Sequence, residues 1–271
     1  MADIFVDTKK CVLCGACVHA CPCLIFAQKT CGSQIEVQEH AVDSCIGCGH
    51  CVASCSVDAI GCHDLKAIPF DKRTLPSFAS LKASLCSRRS IRNYKPQTLT
   101  RGEVKQVLDV AVYAPTGKNT QTIKWAVVLD PVKVKALSGL VIDWMRAMVE
   151  QKHPMARMFK FPEMIEGWAQ GIDPVLRTAP HLVMAYSHKD DMFGASSAPL
   201  NLEYFEIAAH GLGYGTCWAG FFDIAAKSFP PLQQALGLPA DHVLQGSLMF
   251  GIPDEQYVAF PPRNAPNVTW M

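Results

Sequence analysis

The sequence predicts an α+β protein in two parts. A short cysteine-rich module spans residues 1–63, a linker follows at 64–83, and a larger mixed module spans 84–271. Three observations carry that expectation. Eleven of the 13 cysteines lie at or before Cys62. Most of them fall into one motif that occurs twice. Beyond residue 84 helical and extended periodicities alternate, with the strands too far apart for simple hairpins.

The bulk properties set the frame. A length of 271 residues suits two domains, and 49% hydrophobic residues are enough to build a core. The net charge of +1 gives no global field for nucleic acid or an acidic substrate. Residues 1–63 nevertheless carry a net −3 and the remainder +4. No apolar run approaches the roughly 18–20 residues that span a bilayer. Met1 to Lys10 has acids and no apolar stretch, unlike a secretory leader. A soluble cytoplasmic protein is expected, with no membrane or nucleic-acid partner. An odd cysteine count without an export signal argues against a disulfide framework and for metal.

The cysteine motif explains itself chemically. The first copy is Cys11-Val-Leu-Cys14-Gly-Ala-Cys17-Val-His-Ala-Cys21-Pro22, and the second is Cys45-Ile-Gly-Cys48-Gly-His-Cys51-Val-Ala-Ser-Cys55-Ser56. Three thiolates spaced two residues apart can wrap one corner of an iron–sulfur cubane. Zinc sites use two C-x2-C pairs separated by a longer gap, not a tight run of four made twice. Gly15, Gly47 and Gly49 let the loop backbone approach the metal and turn N–H groups toward sulfur. Cys23, Cys31 and Cys62 lie outside the pattern and read as small buried residues. His19, His50 and His63 read as neighbours rather than ligands.

Residues 1–63 thus resemble a bacterial two-cluster ferredoxin, which implies a pair of short hairpins, two short helices and two [4Fe–4S] clusters. In such ferredoxins the fourth cysteine of each run serves the other cluster. Cys11, Cys14, Cys17 and Cys55 are then one ligand set, and Cys45, Cys48, Cys51 and Cys21 the other. Ser56 departs from the resemblance, since proline usually follows the fourth cysteine; the turn is expected to be looser there.

The linker holds Pro69, Pro76 and mixed charge without periodicity. In the larger module Leu81–Ser87 reads as a short helix. Thr100 and Glu103 form a capping box, and Val104, Val107, Leu108 and Ala111 line one face of a helix over 101–113, ended by Pro115. A strand is expected at Trp125–Leu129, a helix at 132–150 and a buried strand at Leu182–Tyr186. Pro199–His210 reads as an apolar helix closed by Gly211 and Gly213. Gln245–Phe250 is the last strand.

Four local patterns carry chemistry. Ser87-Arg88-Arg89-Ser90-Ile91-Arg92 concentrates guanidinium forks and hydroxyls that suit phosphate. Ala114-Pro-Thr-Gly-Lys-Asn119-Thr-Gln121 is an amide-bearing loop, able to pair with a heterocycle edge. Gly211-Leu-Gly-Tyr-Gly215-Thr-Cys-Trp-Ala219-Gly220 allows close backbone approach to a flat ring. Pro261-Pro-Arg263-Asn264 sits near the C-terminus.

In this order and spacing, together with Phe250-Gly-Ile-Pro253, the patterns over residues 84–271 resemble the nitroreductase family of FMN flavoproteins. The whole chain resembles ferredoxin–nitroreductase fusions. The resemblance implies a three-layer α+β sandwich, an intertwined homodimer and FMN at the dimer interface. It implies that Arg88, Arg89, Ser90 and Arg263 bind the phosphate and ribityl chain. Arg92 would approach the N1/O2 edge, Asn119 the pyrimidine edge or ribityl, and Ala219 and Gly220 would lie near N5. Gln121-Thr-Ile-Lys-Trp125 is longer than the family's usual Gln-Pro-Trp, which shifts Lys124 or Trp125 relative to the flavin.

The expected function is an FMN-dependent oxidoreductase that passes electrons from its clusters to FMN. The acceptor is a small conjugated molecule such as a nitroaromatic or quinone. Two clusters point to reduced ferredoxin or another low-potential donor rather than a nicotinamide. Met155–Trp168, apolar and aromatic, reads as a substrate lid. The competing reading is a redox relay or sensor that uses the same cofactors without catalysis.

Overall fold

A computed structural model describes residues 4–271. Asp3, counted in the charge of the first module, and the start of the Met1–Lys10 stretch lie outside the described residues. The chain divides into two compact units. One runs up to Leu75 and includes Lys118–Thr120; the other holds Pro76–Gly117 and Gln121–Met271.

The first unit is built as a repeat. β1 (Ile4–Val6), α1 (Ala16–Ala20) and β2 (Phe26–Gln28) form one half; β3 (Ile35–Val37), α2 (His50–Ala53) and β4 (Ile60–Cys62) form the other. β2 and β3 make a hairpin, with Phe26 opposite Val37. β1 does not form a second local hairpin; it pairs with the distant β4, placing Ile4 opposite Cys62. The repeat dictates this, because exchanging the halves turns the β2–β3 pair into the β4–β1 pair. Gly15 and Gly49 precede the two helices in the left-handed region, at φ 73° and 70°. A side chain there costs roughly 1–2 kcal/mol, so glycine stands at the same place in both halves. Ile25, Phe26, Ile35, Val52 and Ile60 form the core together with Cys17, Cys51 and Cys62.

The second unit is a helix–sheet–helix sandwich. Its antiparallel sheet has the order β5 (Lys124–Val128), β6 (His181–His188), β8 (His242–Gly251), β7 (Gly215–Trp218). Both faces are covered, so apolar residues occupy both phases of the two-residue strand period. Leu182 and Met184 of β6 enter one core, Val183 and Ala185 the other. β8 divides likewise, with Met249 on the first side and Leu248 and Phe250 on the second. Burying each Leu, Met or Phe is worth about 1.5–3 kcal/mol.

The second core is closed by α4 (Arg101–Ala111) and α8 (Gly194–Gly211). The first is closed by α5 (Pro131–Glu150), α7 (Phe161–Ala169), α9 (Gly220–Ser228) and α10 (Pro230–Leu236). The remaining helices are α3 (Phe78–Ser87) and α6 (Pro154–Met158). The Thr100–Glu103 capping box forms in both directions.

Two helices start earlier than the pattern predicts. Ser77 accepts from Ser80 N at 3.2 Å and caps α3 four residues ahead of Leu81. α8 takes in Pro199 and begins at Gly194. The proline supplies no N–H to Ala195 and costs the helix one bond. Among the described residues no helix is long and apolar enough to cross a membrane.

Candidate cofactor sites

In the first unit the eight motif cysteines sort into two pockets. One is lined by Cys11, Cys14, Cys17 and Cys55 with Ile35 and Ile60. The other is lined by Cys21, Cys45, Cys48 and Cys51, and also by Cys23 and Cys62. Each pocket therefore collects three sulfurs from one motif and the fourth from the other. Such a tetrad of thiols in an apolar wall fits an iron–sulfur cubane by number and softness.

The local backbone shows why. Leu13 and Gly47 take φ 59° in their loops, ahead of Gly15 and Gly49, so the two motifs wind alike. Each fourth cysteine leaves its helix and opens a turn. Leu24 N donates to Cys21 O, and Asp58 N to Cys55 O. The turn after Cys55 thus matches the one after Cys21, although Ser56 stands where Pro22 does. The sulfurs accept backbone hydrogens at the same offset, Ile25 N to Cys21 Sγ at 3.5 Å and Ala59 N to Cys55 Sγ at 3.1 Å. Burial pushes the Cys17 and Cys51 thiols up, so each keeps its proton unless a bound cation draws it off. Asn119 belongs to this unit: its Nδ2 donates to the Ile46 and Gly47 carbonyls at 3.2 and 3.1 Å.

In the second unit an open cleft of about 410 Å³ is lined by Arg88, Arg89, Ile91, Tyr214, Gly215, Thr216 and Glu255 among others. Ile91 N donates to Thr216 O at 2.8 Å, which fixes the arginine-rich segment beside β7. Gly215 is required there, since a Cβ would lie 2.6 Å from the Ile91 side chain. Arg88 is tied to Glu206 at 3.3 Å and Glu203 at 3.8 Å. Arg89, among the described residues, makes no ion pair. Arg92 Nη1 donates to Ser90 O at 3.4 Å. Arg263 is exposed, lies outside the cleft lining and donates to the Pro262 carbonyl. Ala219 caps α9 and is buried; a Cβ on Gly220 would meet nothing within 4 Å, so that backbone faces open space.

Against this geometry, the sequence model of the nitroreductase family matches residues 85–252, and that of a 4Fe-4S dicluster domain matches residues 3–56. The chain belongs to the nitroreductase family. Its order of domains is that of a ferredoxin–nitroreductase fusion. A curated relative from Archaeoglobus fulgidus, provisionally named an NADH dehydrogenase/NAD(P)H nitroreductase, is 25% identical over 174 residues, or 63% of this chain and 83% of the relative. The nitroreductase of Bacteroides fragilis, solved with bound FMN, superposes with a TM-score of 0.58 at 20% identity, covering 70% of this chain and 97% of its own. An FMN-bound nitroreductase from Desulfitobacterium hafniense gives 0.56 at 17%, covering 70% and 96%. These likenesses establish the sandwich fold.

Two residues of the nitroreductase module escape sequence reasoning. Glu206, 1% exposed, accepts from Thr216 Oγ1 at 2.6 Å and Trp218 Nε1 at 3.0 Å besides meeting Arg88. Its signal in the sequence is faint, one of two acids, with Glu203, on a largely apolar helix. Asp223, in the first turn of α9, accepts from Ser247 Oγ at 2.5 Å and Ser247 N at 3.3 Å. Burial raises its carboxyl to about 6. Cys217 is buried and its thiol is pushed up by that burial, which suits packing rather than nucleophilic attack. Phe159 and Phe161, in the stretch read as a lid, set their rings 5.5 and 5.8 Å from Phe221, the neighbour of Gly220.

Proposed function

We propose that this chain is an iron–sulfur flavoprotein oxidoreductase that holds two [4Fe–4S] clusters and FMN. It takes electrons from reduced ferredoxin or another low-potential donor and delivers them to a small conjugated acceptor such as a nitroaromatic or quinone. The sorting of eight thiols into two pockets, each completed by the other motif's fourth cysteine, carries this reading. Cys11, Cys14, Cys17 and Cys55 would hold one cluster; Cys21, Cys45, Cys48 and Cys51 the other.

FMN, when bound, supplies the hydride or single-electron chemistry that amino-acid side chains lack. The chain's own residues bind and orient it. Arg89 has the free guanidinium of the cleft and, with Ser90, meets the phosphate. Arg88 is already paired with Glu206 and Glu203, so it would hold the segment in place and offer its remaining N–H donors to the phosphate and ribityl chain. Arg92 would stabilise negative charge on the N1/O2 edge. Gly220 leaves room for a flat ring over α9, with Ala219 beside it. Arg263 would join the phosphate from the C-terminal segment. The lid aromatics around Phe221 would exclude water above the ring.

A homodimer is supported by apolar side chains left in solvent within the second unit. α3 buries none of its residues, Phe78 is 80% exposed, and Trp270 near the C-terminus is 90% exposed. Such a surface calls for a partner, here a second copy.

The test is oxygen-free purification followed by iron, zinc and sulfide assays, a visible spectrum and flavin extraction. The expected result is a brown protein with about eight iron atoms and one FMN per chain. A colourless protein that holds zinc and no flavin overturns the reading.

A further inference from the structure

The two sulfur pockets are related by an internal repeat, yet their surroundings differ, beginning at the cysteine that opens each motif. Cys11 and Cys45 both open a motif. Cys11 Sγ accepts the Leu13 N–H at 3.5 Å. Among the described residues, no backbone N–H reaches Cys45 Sγ in the same way, although Gly47 occupies the place of Leu13. Two thiols in that pocket have no counterpart in the other, Cys23 and Cys62, and it is Cys62 that stands against Cys45. Cys62, 2% exposed at the end of β4, lines the pocket of Cys21, Cys45, Cys48 and Cys51. Its Sγ, Cys45 Sγ and a ring nitrogen of His63 lie within 4.8 Å of one another. Cys62 also meets the thiol of Cys51.

Valence decides what Cys62 can do there. A cubane has four irons, each open to one protein sulfur. The motif already provides four sulfurs, spaced as in the first pocket, so Cys62 is surplus as a ligand. Its S–H is then a donor with thiolate sulfurs as its neighbours. A hydrogen bond to a ligand sulfur stabilises the added negative charge of the reduced cluster and raises its potential. His63 is exposed, and water screens whatever it adds.

We propose that Cys62 donates its S–H to the second cluster's thiolates, chiefly Cys45, and supplies there the hydrogen bond that Leu13 N–H gives Cys11, which keeps the two clusters close in potential. Matched potentials let an electron pass between the clusters without a thermodynamic barrier in either direction. The inference rests on the two-cluster reading above.

The experiment is a dithionite titration of the anaerobic full-length protein, followed by EPR, for wild type, Cys62→Ala and Cys62→Ser, with iron measured in each. The wild type should hold both clusters and reduce them in one wave. Cys62→Ala should keep all its iron while one cluster moves to lower potential and splits the wave. Cys62→Ser, whose hydroxyl also donates, should move it back toward the wild-type position. An unsplit wave in Cys62→Ala, or two waves in the wild type, overturns the proposal. So does loss of about half the iron from either variant, which would make Cys62 a ligand. A wild type without two clusters instead sinks the functional reading on which this stands.

Discussion

Glu206 accepts a 2.6 Å hydrogen bond from Thr216 and so joins the middle of α8 to β7, the strand that lines the arginine-bearing cleft. The same carboxylate takes the Trp218 indole N–H and faces Arg88. A charge this deeply buried is tolerated because each neighbour supplies a hydrogen or a positive charge. One acid therefore sets the position of the segment proposed to bind phosphate.

Removing it should be costly. Glu206→Ala leaves Arg88 partly buried without its main partner and two donors unsatisfied, a loss of roughly 3–5 kcal/mol. Glu206→Gln keeps the acceptor toward Thr216 and should lose less. Denaturant unfolding of both variants measures the difference. If Glu206→Ala matched wild type, the carboxylate would not be organising this region.

Asp223 gives a pH signature. Burial raises its folded pKa to about 6, above that of an unfolded aspartate. Between about pH 4 and pH 6 the folded state binds the extra proton, so this residue's contribution to stability falls as pH rises through that window and is flat above it. The penalty at neutral pH is ~3 kcal/mol. Asp223→Asn retains an acceptor for Ser247 and removes the titration. The difference in unfolding free energy between Asn variant and wild type should therefore grow in the variant's favour from pH 4.5 to pH 7.

His181 titrates with the opposite sign. It accepts Leu99 N at 2.7 Å and faces Leu129 O at 3.0 Å, so it is held neutral with the proton on Nδ1. Burial lowers its pKa. Its contribution is complete above about pH 6.5 and is lost as pH falls through the depressed folded value. His181→Gln should flatten the fall in stability below pH 6.5 at the expense of stability at neutral pH, as read by thermal melts across that range.

The capping box is a small, clean test. Thr100→Ala removes the acceptor for Glu103 N and should cost about 1 kcal/mol without touching the cleft. A lower melting temperature with unchanged flavin binding is the expected result.

How legible all this was depended on how local the physics is. The cluster motif, the capping box and the strand around Leu182 are short-range patterns, and the sequence displays them directly. The pairing of β1 with β4 is not local; only the repeat hints at it. β7 follows the end of α8 directly, and the glycine-rich stretch from Gly211 to Gly220 suits a helix end followed by a strand as well as room for a flat ring; what the sequence does not announce is that Gly215 serves contact with Ile91. Glu206 and Asp223 draw their meaning from partners in other elements, Thr216, Trp218 and Ser247, which no periodicity announces. Cys62 was visible as a cysteine outside the motif, but its place beside Cys45 depends on β4 pairing with β1.

The crossed sulfur sets make the last prediction. If ligands followed sequence order, Cys55→Ala would damage the cluster of Cys45, Cys48 and Cys51. The pockets say otherwise, since Cys55 lines the one with Cys11, Cys14 and Cys17. Cys55→Ala should therefore perturb the same EPR signal as Cys14→Ala, and Cys21→Ala the same signal as Cys48→Ala. The fourth cysteine also accepts a backbone hydrogen, from Ala59 or Ile25, so its loss removes a ligand and leaves a half-buried N–H unpaired. Each variant should retain about half the iron and one of the two signals. Pairing of the signals in sequence order would refute the exchange of fourth ligands between the repeats.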